Sequence, residues 1–131
     1  MVKKDKNRSK RKPRPKAADG ADRHALYEAA VQNVESEIDF VDAEFKRLRG
    51  RPARYLRADF CGTANTACEW VRRRKDNYAT GIDLDAEVLA WGKSHHVEAL
   101  TPAQRARIAL VNDDVLRAAT PLQDIVLAMN F

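Results

Sequence analysis

Two short segments constrain the fold of this chain more than any other feature of it. Residues Arg54 to Ala64 predict a β-strand that runs into a turn of small residues and then opens a helix. Residues Gly81 to Asp85 predict a second strand that ends on an acidic residue. Together they predict a βαβ unit with a tight loop after its first strand and a carboxylate at the tip of its second. Such a unit suits a ligand that carries an adenosine, because the backbone can approach it closely and the carboxylate can accept hydrogen bonds from two ribose hydroxyls.

Strand and helix patterns alternate along the rest of the chain. They predict helices at residues 21–49, 63–74, 85–97 and 102–105, and strands at 55–60, 78–82, 108–111 and 124–129. The last strand is apolar after Asp124, which is typical of a strand buried on both faces. The alternation predicts an α/β fold with a Rossmann-like parallel sheet, flanking helices and an N-terminal helix.

The N-terminal helix has the most regular pattern. Apolar residues recur at steps of four and three from Tyr27 to Leu48. Asp19 or Asp22 is a candidate cap for its start, and Gly50 ends it. A coiled coil is the alternative, but the flanking charges are not ordered as a coiled coil requires, so we expect a helix that packs on the sheet.

Positive charge is concentrated at the start of the chain. The net charge is +5, and residues 1–16 hold nine of the 24 lysines and arginines with a single acid. Residues 1–20 are therefore predicted to be a disordered basic tail, and residues 21–131 to form the domain. The tail is interpreted either as a solvated extension or as a non-specific nucleic-acid contact through residues 3–16.

Composition also bounds the cellular setting. No apolar stretch approaches the roughly 20 residues of a membrane span, and no apolar run follows the basic start as in a signal peptide. Cys61 and Cys68 do not indicate a disulfide framework. We therefore expect a cytoplasmic protein without a membrane partner.

Four stations at predicted strand ends carry a resemblance to a known family. They are Asp59 to Ala64, Gly81 to Asp85, Val111 to Val115, and Asp124 to Phe131. They resemble the class I S-adenosylmethionine-dependent methyltransferases over about residues 26–131. The family sheet has seven strands in the order 3-2-1-4-5-7-6, so the resemblance implies the order 3-2-1-4 here. We accordingly expect a domain truncated after an uncovered apolar fourth strand.

The resemblance implies that the first loop contacts S-adenosylmethionine, through Asp59, Cys61, Gly62 and Thr63. Gly62 would let the methionine part approach closely. The common family loop has three glycines at alternate positions and an acid two residues before the first. Here Phe60 and Ala64 stand at the outer glycine positions and Ala58 at that of the acid. Asp59 lies one position later and would bind the amino group of the cofactor from a shifted register. A tight turn without a ligand is the alternative.

The later stations are implied to hold the rest of the cofactor. Asp83, with Leu84 beside it, would accept hydrogen bonds from the ribose hydroxyls, and Asp114 with Val115 would face the adenine. Asn130 would border the cofactor and could orient a methyl acceptor.

Simpler structural roles remain open for the same residues. Asp83 could cap the next helix, although Asp85 fits that role better. Asp113 and Asp114 could form a solvated turn, and no third ligand lies nearby to make them a metal site.

Other conspicuous groups are interpreted as structural. The basic run from Arg72 to Lys75 suits a helix C-terminus more than a nucleic-acid patch. His95 and His96 are predicted to lie on the surface. Cys61 is interpreted as a small loop residue, because no base lies near it in sequence.

The residues and the resemblance lead to one functional expectation and one alternative. The expectation is the cofactor-binding portion of an S-adenosylmethionine-dependent methyltransferase, which transfers a methyl group to an unidentified acceptor. The alternative is a non-catalytic truncated fragment whose polycationic arm binds RNA or a protein partner.

Overall fold

The computed structural model describes Arg23, Ala25, Leu26 and residues 34–128. The chain divides into two compact units, Met1–Gln32 and Asn33–Phe131. In the first unit the described residues are helical and exposed. The predicted tail and the predicted helix caps lie outside the described residues. None of the described helices is both long enough and apolar enough to cross a bilayer.

The second unit alternates helices and strands in the predicted order. Its elements are α1 (Val34–Arg49), β1 (Tyr55–Asp59), α2 (Asn65–Arg73), β2 (Tyr78–Asp83), α3 (Ala86–His95), a 3-10 turn (Val97–Ala99), α4 (Pro102–Arg105), β3 (Ile108–Asn112) and β4 (Ile125–Leu127). Asp85 caps α3 by accepting from the amides of Glu87 and Val88. Thr101 and Gln104 form a reciprocal capping box at α4.

The four strands form one parallel sheet in the order β3-β2-β1-β4. This confirms the predicted fold class and strand order. Tyr55 pairs with Tyr78 and Asp59 with Ile82, so β1 and β2 end level with each other. Asp83 and Asn112 are likewise paired across β2 and β3. The carboxyl ends of three strands therefore meet at one edge, where open α/β sheets bind ligands.

The hydrophobic core lies on one face of this sheet. Helix α2 packs on β1 and β2, and α1 packs on α2. Trp70 is fully buried there, and its indole N–H donates to the carbonyl of Arg54 at 3.1 Å. Val34 and Ile38 of α1 are buried, but Leu48 is 66% exposed. The row of apolar residues predicted from Tyr27 to Leu48 therefore contacts the core at its middle but not at its C-terminal end.

The arginines at the end of α2 bind acids rather than solvent. Arg73 pairs with Asp39, and Arg74 forms a bidentate pair with Asp42, so both fasten α2 to α1. The end of α2 is instead bound by Arg107, whose guanidinium donates to the carbonyls of Val71 and Arg74 and to that of Asn77 in the following loop. The interpretation of this basic run as a solvated cap was thus wrong for Arg73 and Arg74, which have acidic partners.

The other face of the sheet is more open. The rings of Tyr55 and Tyr78 stack there at 5.1 Å, and Val126 of β4 is 56% exposed. The prediction that β4 is buried on both faces was therefore wrong for its described residues. Asp124 also lies before the strand rather than in it. An apolar sequence permits burial on two faces, but the second face needs a packed element, and the described chain places only an irregular connection against it.

Candidate cofactor site at the carboxyl ends of the strands

The loop between β1 and α2 has a left-handed backbone at alternate residues. The φ angles of Phe60, Gly62 and Ala64 are 57°, 56° and 66°. Left-handed φ costs a residue with a side chain about 1–2 kcal/mol, and glycine is the residue that adopts it freely. The loop therefore has the backbone form that three alternating glycines would give, although only one of the three positions is glycine. The amide of Cys61 donates to the carbonyl of Ile82 at 2.9 Å and anchors the loop to β2.

Open space lies next to Gly62. A Cβ built on this residue would come no nearer than 4.0 Å to any other group, the methyl of Val88. Glycine is therefore favoured here by its φ angle and not by crowding among the described residues. The same open space leaves the backbone accessible, as a closely bound ligand requires.

Two further glycines let neighbouring elements press against the loop. At Gly81 a Cβ would lie 2.8 Å from the Sγ of Cys61, so the thiol occupies the space that a side chain on β2 would fill. At Gly92 a Cβ would overlap the carbonyl of Thr63, so α3 touches the loop backbone directly. The loop is thus held from β2 and from α3.

Asp83 is the acceptor that joins the loop to the tip of β2. Its Oδ2 accepts from the amide of Gly62 at 2.8 Å, and its Oδ1 accepts from the amide of Asp85 at 2.9 Å. Because Asp85 caps α3, Asp83 is not the cap. A carboxylate has about four acceptor positions, so roughly two remain. Among the described residues no cation lies within ion-pair distance of Asp83. No described cation therefore balances its charge.

The residues after β3 form a turn built on carboxylates. The Oδ1 of Asp114 accepts from the amide of Leu116 at 2.9 Å, and the Asp114 carbonyl accepts from the amides of Arg117 and Ala118. Asp113 accepts from the amide of Asp114 at 2.7 Å. The turn that was the structural alternative for Asp113 and Asp114 is therefore present, and their carboxylates help to shape it. It brings Val115 toward the same edge of the sheet.

Asn112 is a site residue that sequence reasoning missed. Its side-chain amide donates to the carbonyls of Asp83 and Leu84, at 3.0 Å each. The amide of Asp113 also donates to the carbonyl of Asp83. These bonds fix β3 to the tip of β2. An asparagine at a strand end after an apolar run was the available signal.

The carboxylate of Asp59 already has a partner in the chain. Arg57 Nε donates to its Oδ1 at 2.6 Å, and both side chains are mostly buried, at 14% and 16% exposure. Any bond from Asp59 to the amino group of a cofactor would therefore compete with this ion pair. No role is predicted for Arg57 from the sequence alone.

The remaining predicted residues have mixed surroundings. Burial raises the pKa of the Cys61 thiol to about 12, and the nearby charge of Asp83 adds to this, so the protonated thiol is favoured over the thiolate. Thr63 is buried, whereas Leu84 is 70% exposed beside Asp83. Asn130 lies outside the described residues. No group of three metal-ligating side chains occurs within the part of the chain that the structure describes.

The two histidines differ from each other. His95 is exposed as predicted and stacks on Trp91 at 3.9 Å. His96 is half-buried, with its ring edge toward the same indole at 5.6 Å, so the prediction of a surface position was wrong for it.

Comparison with known proteins identifies the fold. No protein family model and no curated protein sequence matches the chain. Among solved structures, the plantazolicin methyltransferase BamL, in complex with a triazolic desmethylPZN analogue and SAH, aligns with a TM-score of 0.62 at 16% identity. CalS10, a SAM-bound amino pentose methyltransferase from Micromonospora echinaspora involved in calicheamicin biosynthesis, aligns at 0.57 and 18%. The glycopeptide N-methyltransferase MtfA, complexed with sinefungin, aligns at 0.54 and 18%.

These alignments cover most of this chain but less than half of the others. They span 86%, 78% and 75% of this chain, and 40%, 39% and 36% of BamL, CalS10 and MtfA, respectively. At such identities the likeness concerns the fold alone. The chain therefore has the Rossmann-like α/β fold found in part of these methyltransferases.

Proposed function

We propose that this chain is the cofactor-binding portion of an S-adenosylmethionine-dependent methyltransferase. One observation carries the proposal. In the loop at residues 60–64, where every second residue has a left-handed φ angle, the amide of Gly62 donates a hydrogen bond to the carboxylate of Asp83 at 2.8 Å. This bond lies at the edge of the sheet where β1 and β2 end. This arrangement joins an accessible backbone to an acceptor of ribose hydroxyls, which are the two requirements of an adenosine ligand.

The chain's own residues suit this cofactor by charge as well as by shape. Asp83 accepts through positions that its two backbone donors leave open. Leu84 offers an exposed apolar side chain beside it, and Asp114 and Val115 lie on the turn after β3. When bound, S-adenosylmethionine would supply an electrophilic methyl group on its sulfonium. The chain would supply orientation and proximity, which dominate the catalysis of such a transfer.

The test is calorimetric binding of S-adenosylhomocysteine to the full chain and to two variants. Asp83→Asn removes the charge that would bind the ribose, and we expect affinity to fall about tenfold or more. Asp85→Asn is the matched control. It removes the same charge two residues away, and asparagine caps helices as well as aspartate does. We expect it to bind like the unchanged chain.

A second pair of ligands isolates the ribose contact. Adenosine and 2′,3′-dideoxyadenosine differ only in the hydroxyls assigned to Asp83. The unchanged chain should prefer adenosine, and Asp83→Asn should lose that preference, as in a double-mutant cycle. Equal binding of both ligands by the unchanged chain would contradict the assignment.

The methyl acceptor and the transfer itself are further parts of the proposal. Transfer of labelled methyl groups from S-adenosylmethionine to components of a cell extract is the direct measurement. A folded chain that binds no adenosine ligand at millimolar concentration would instead support the alternative, a non-catalytic fragment whose basic arm at residues 3–16 binds RNA or a protein partner. That alternative predicts binding to a polyanion with a steep salt dependence.

A further inference from the structure

Arg57 connects two parts of the proposed site that are distant in sequence. Its Nε donates to Asp59 Oδ1, its Nη2 donates to the carbonyl of Val115 at 2.6 Å, and its Nη1 donates to Thr120 Oγ1 at 3.2 Å. A longer bond of 3.4 Å reaches the carbonyl of Ala118. One guanidinium therefore ties the end of β1 to three residues of the connection between β3 and β4.

Among the described residues, Asp124 fastens the far end of the connection to the start of β1 by accepting from the amides of Arg54 and Tyr55, and Arg57 holds the part near the turn. Residues 113–124 contain no helix or strand. The turn that they form is closed by bonds to Asp114, which lie within the connection itself. Arginine suits the role because its planar fork carries five donors and stays charged at every accessible pH. A shorter or neutral side chain would not bind Asp59, Val115 and Thr120 at the same time.

We propose that Arg57 is a positioning residue for the adenosine part of the cofactor. It holds the turn that carries Asp114 and Val115 against β1. It also occupies the carboxylate of Asp59, so that Asp59 does not bind the amino group of the cofactor. This inference rests on the proposed function, and it adds a residue that touches the ligand only through others.

The nucleoside and the amino-acid end of the ligand can be tested separately. A change at Arg57 displaces the turn at the adenine and removes no contact from the amino-acid end. S-adenosylhomocysteine and 5′-methylthioadenosine share the nucleoside but not the amino acid. Arg57→Gln should therefore weaken both, about tenfold for the loss of an ordered contact, and S-adenosylhomocysteine by no more than 5′-methylthioadenosine, because the released Asp59 can only add a contact to the amino group. Asp59→Asn should leave the ratio of the two affinities unchanged.

The first experiment needs no ligand. Hydrogen exchange measured on the full chain reports the amides of Leu116, Arg117 and Ala118, which donate to Asp114 in the turn. In Arg57→Gln these amides should exchange about tenfold faster, because the turn opens more often once its link to β1 is lost. Arg54→Gln is the matched control. It removes the same charge from an exposed arginine before β1 and should leave these amides unchanged.

The second experiment is calorimetry with the two ligands on the same variants, with circular dichroism to confirm folding. Arg57→Lys retains the charge but not the fork, so it should recover affinity only in part. If Arg57→Gln proves unfolded, Arg57→Lys serves both experiments.

The outcomes distinguish this proposal from the function on which it rests. Unchanged exchange in Arg57→Gln overturns the role of Arg57 and leaves the proposed function standing. A larger loss for S-adenosylhomocysteine than for 5′-methylthioadenosine also overturns it, because the effect would then act on the amino-acid end. Full recovery of ligand affinity in Arg57→Lys would show that the positive charge alone matters, and it would overturn the role of the planar guanidinium. No binding by the unchanged chain overturns the proposed function, and the ligand part of this inference with it.

Discussion

Asp83 and Asp124 lie at opposite ends of the sheet and accept hydrogen bonds in nearly the same way. Asp83, at the carboxyl end of β2, accepts from the amides of Gly62 and Asp85. Asp124, just before β4, accepts from the amides of Arg54 and Tyr55 at 2.7 and 3.0 Å. Each carboxylate therefore fastens a loop to a neighbouring strand.

The two carboxylates differ in their charged neighbours. Arg51 donates to Asp124 at 3.0 Å, whereas no described cation pairs with Asp83. Burial alone would raise the pKa of Asp124, but the bonds from Arg51 and the two amides outweigh it and lower the pKa to about 2. The comparison teaches that two carboxylates bound alike by backbone amides can differ in whether a described cation balances their charge.

The largest predicted effect concerns the loop at the ligand end. Gly92→Ala would drive a methyl group into the carbonyl of Thr63, so α3 or the loop must move. We expect a loss of about 3 kcal/mol in the free energy of unfolding, measured by urea denaturation. In an open helix position the same change should instead stabilise by nearly 1 kcal/mol through helix propensity. A stabilised variant would show that α3 does not touch the loop.

The next effect tests the structural role of Asp124. Asp124→Asn removes the ion pair with Arg51 and the negative charge to which the two amides donate, although the amide oxygen of asparagine can still accept from both amides. We expect unfolding to become easier by about 2 kcal/mol, with no change in ligand affinity. Asp76→Asn, an exposed substitution at the same end of the sheet, is the control and should stay within about 0.5 kcal/mol of the unchanged chain.

Lowering the pH should remove the difference in stability between the unchanged chain and Asp124→Asn. The pKa of Asp124 is lowered from 3.8 to about 2, so the unfolded chain binds its proton first as the pH falls. The contribution to stability is therefore complete above about pH 4 and lost as the pH falls through about 2. It amounts to about 1–2 kcal/mol, because solvent screens the 56% exposed side chain of Arg51. Urea midpoints of the unchanged chain and Asp124→Asn should converge at pH 2. A constant gap across this range would contradict the origin of the shift.

The smallest effect measures strain in the ligand-end loop. Phe60→Ala and Phe60→Gly both remove the ring, but only glycine relieves the left-handed φ of 57°. We expect the glycine variant to be more stable than the alanine variant by about 1 kcal/mol. Equal stabilities in thermal unfolding would mean that the loop does not hold this backbone conformation in solution.

Apolar periodicity was sufficient to predict the elements and a parallel sheet, whereas the order of the strands was implied by the family resemblance. A period of about two or about 3.6 follows from local geometry, and a parallel crossover leaves few topologies. The same local reasoning identified Asp85 as the cap of α3. It failed for β4, where the exposure of Val126 depends on whether another element covers that face.

The contacts that define the site were less predictable, because they join residues far apart in the chain. Arg57 reaches a threonine 63 positions later, and Arg51 reaches Asp124 across 73 positions. The left-handed angles at Phe60 and Ala64 leave no sign in residue type, since neither side chain favours them. Only Gly62 carried a signal that could be read locally.

The carboxylates gathered where the strands end have a consequence for how fast ligands arrive. Asp83, Asp85, Asp113 and Asp114 lie at the carboxyl ends of the strands, whereas the groove at the opposite edge of the sheet mixes Arg51, Arg54 and Arg74 with Asp76 and Asp124. A cluster of carboxylates attracts an approaching cation before contact. Association of a positively charged ligand at this edge should therefore slow as ionic strength rises, while its dissociation rate changes little. The sheet thus contributes to the encounter as well as to the bound state.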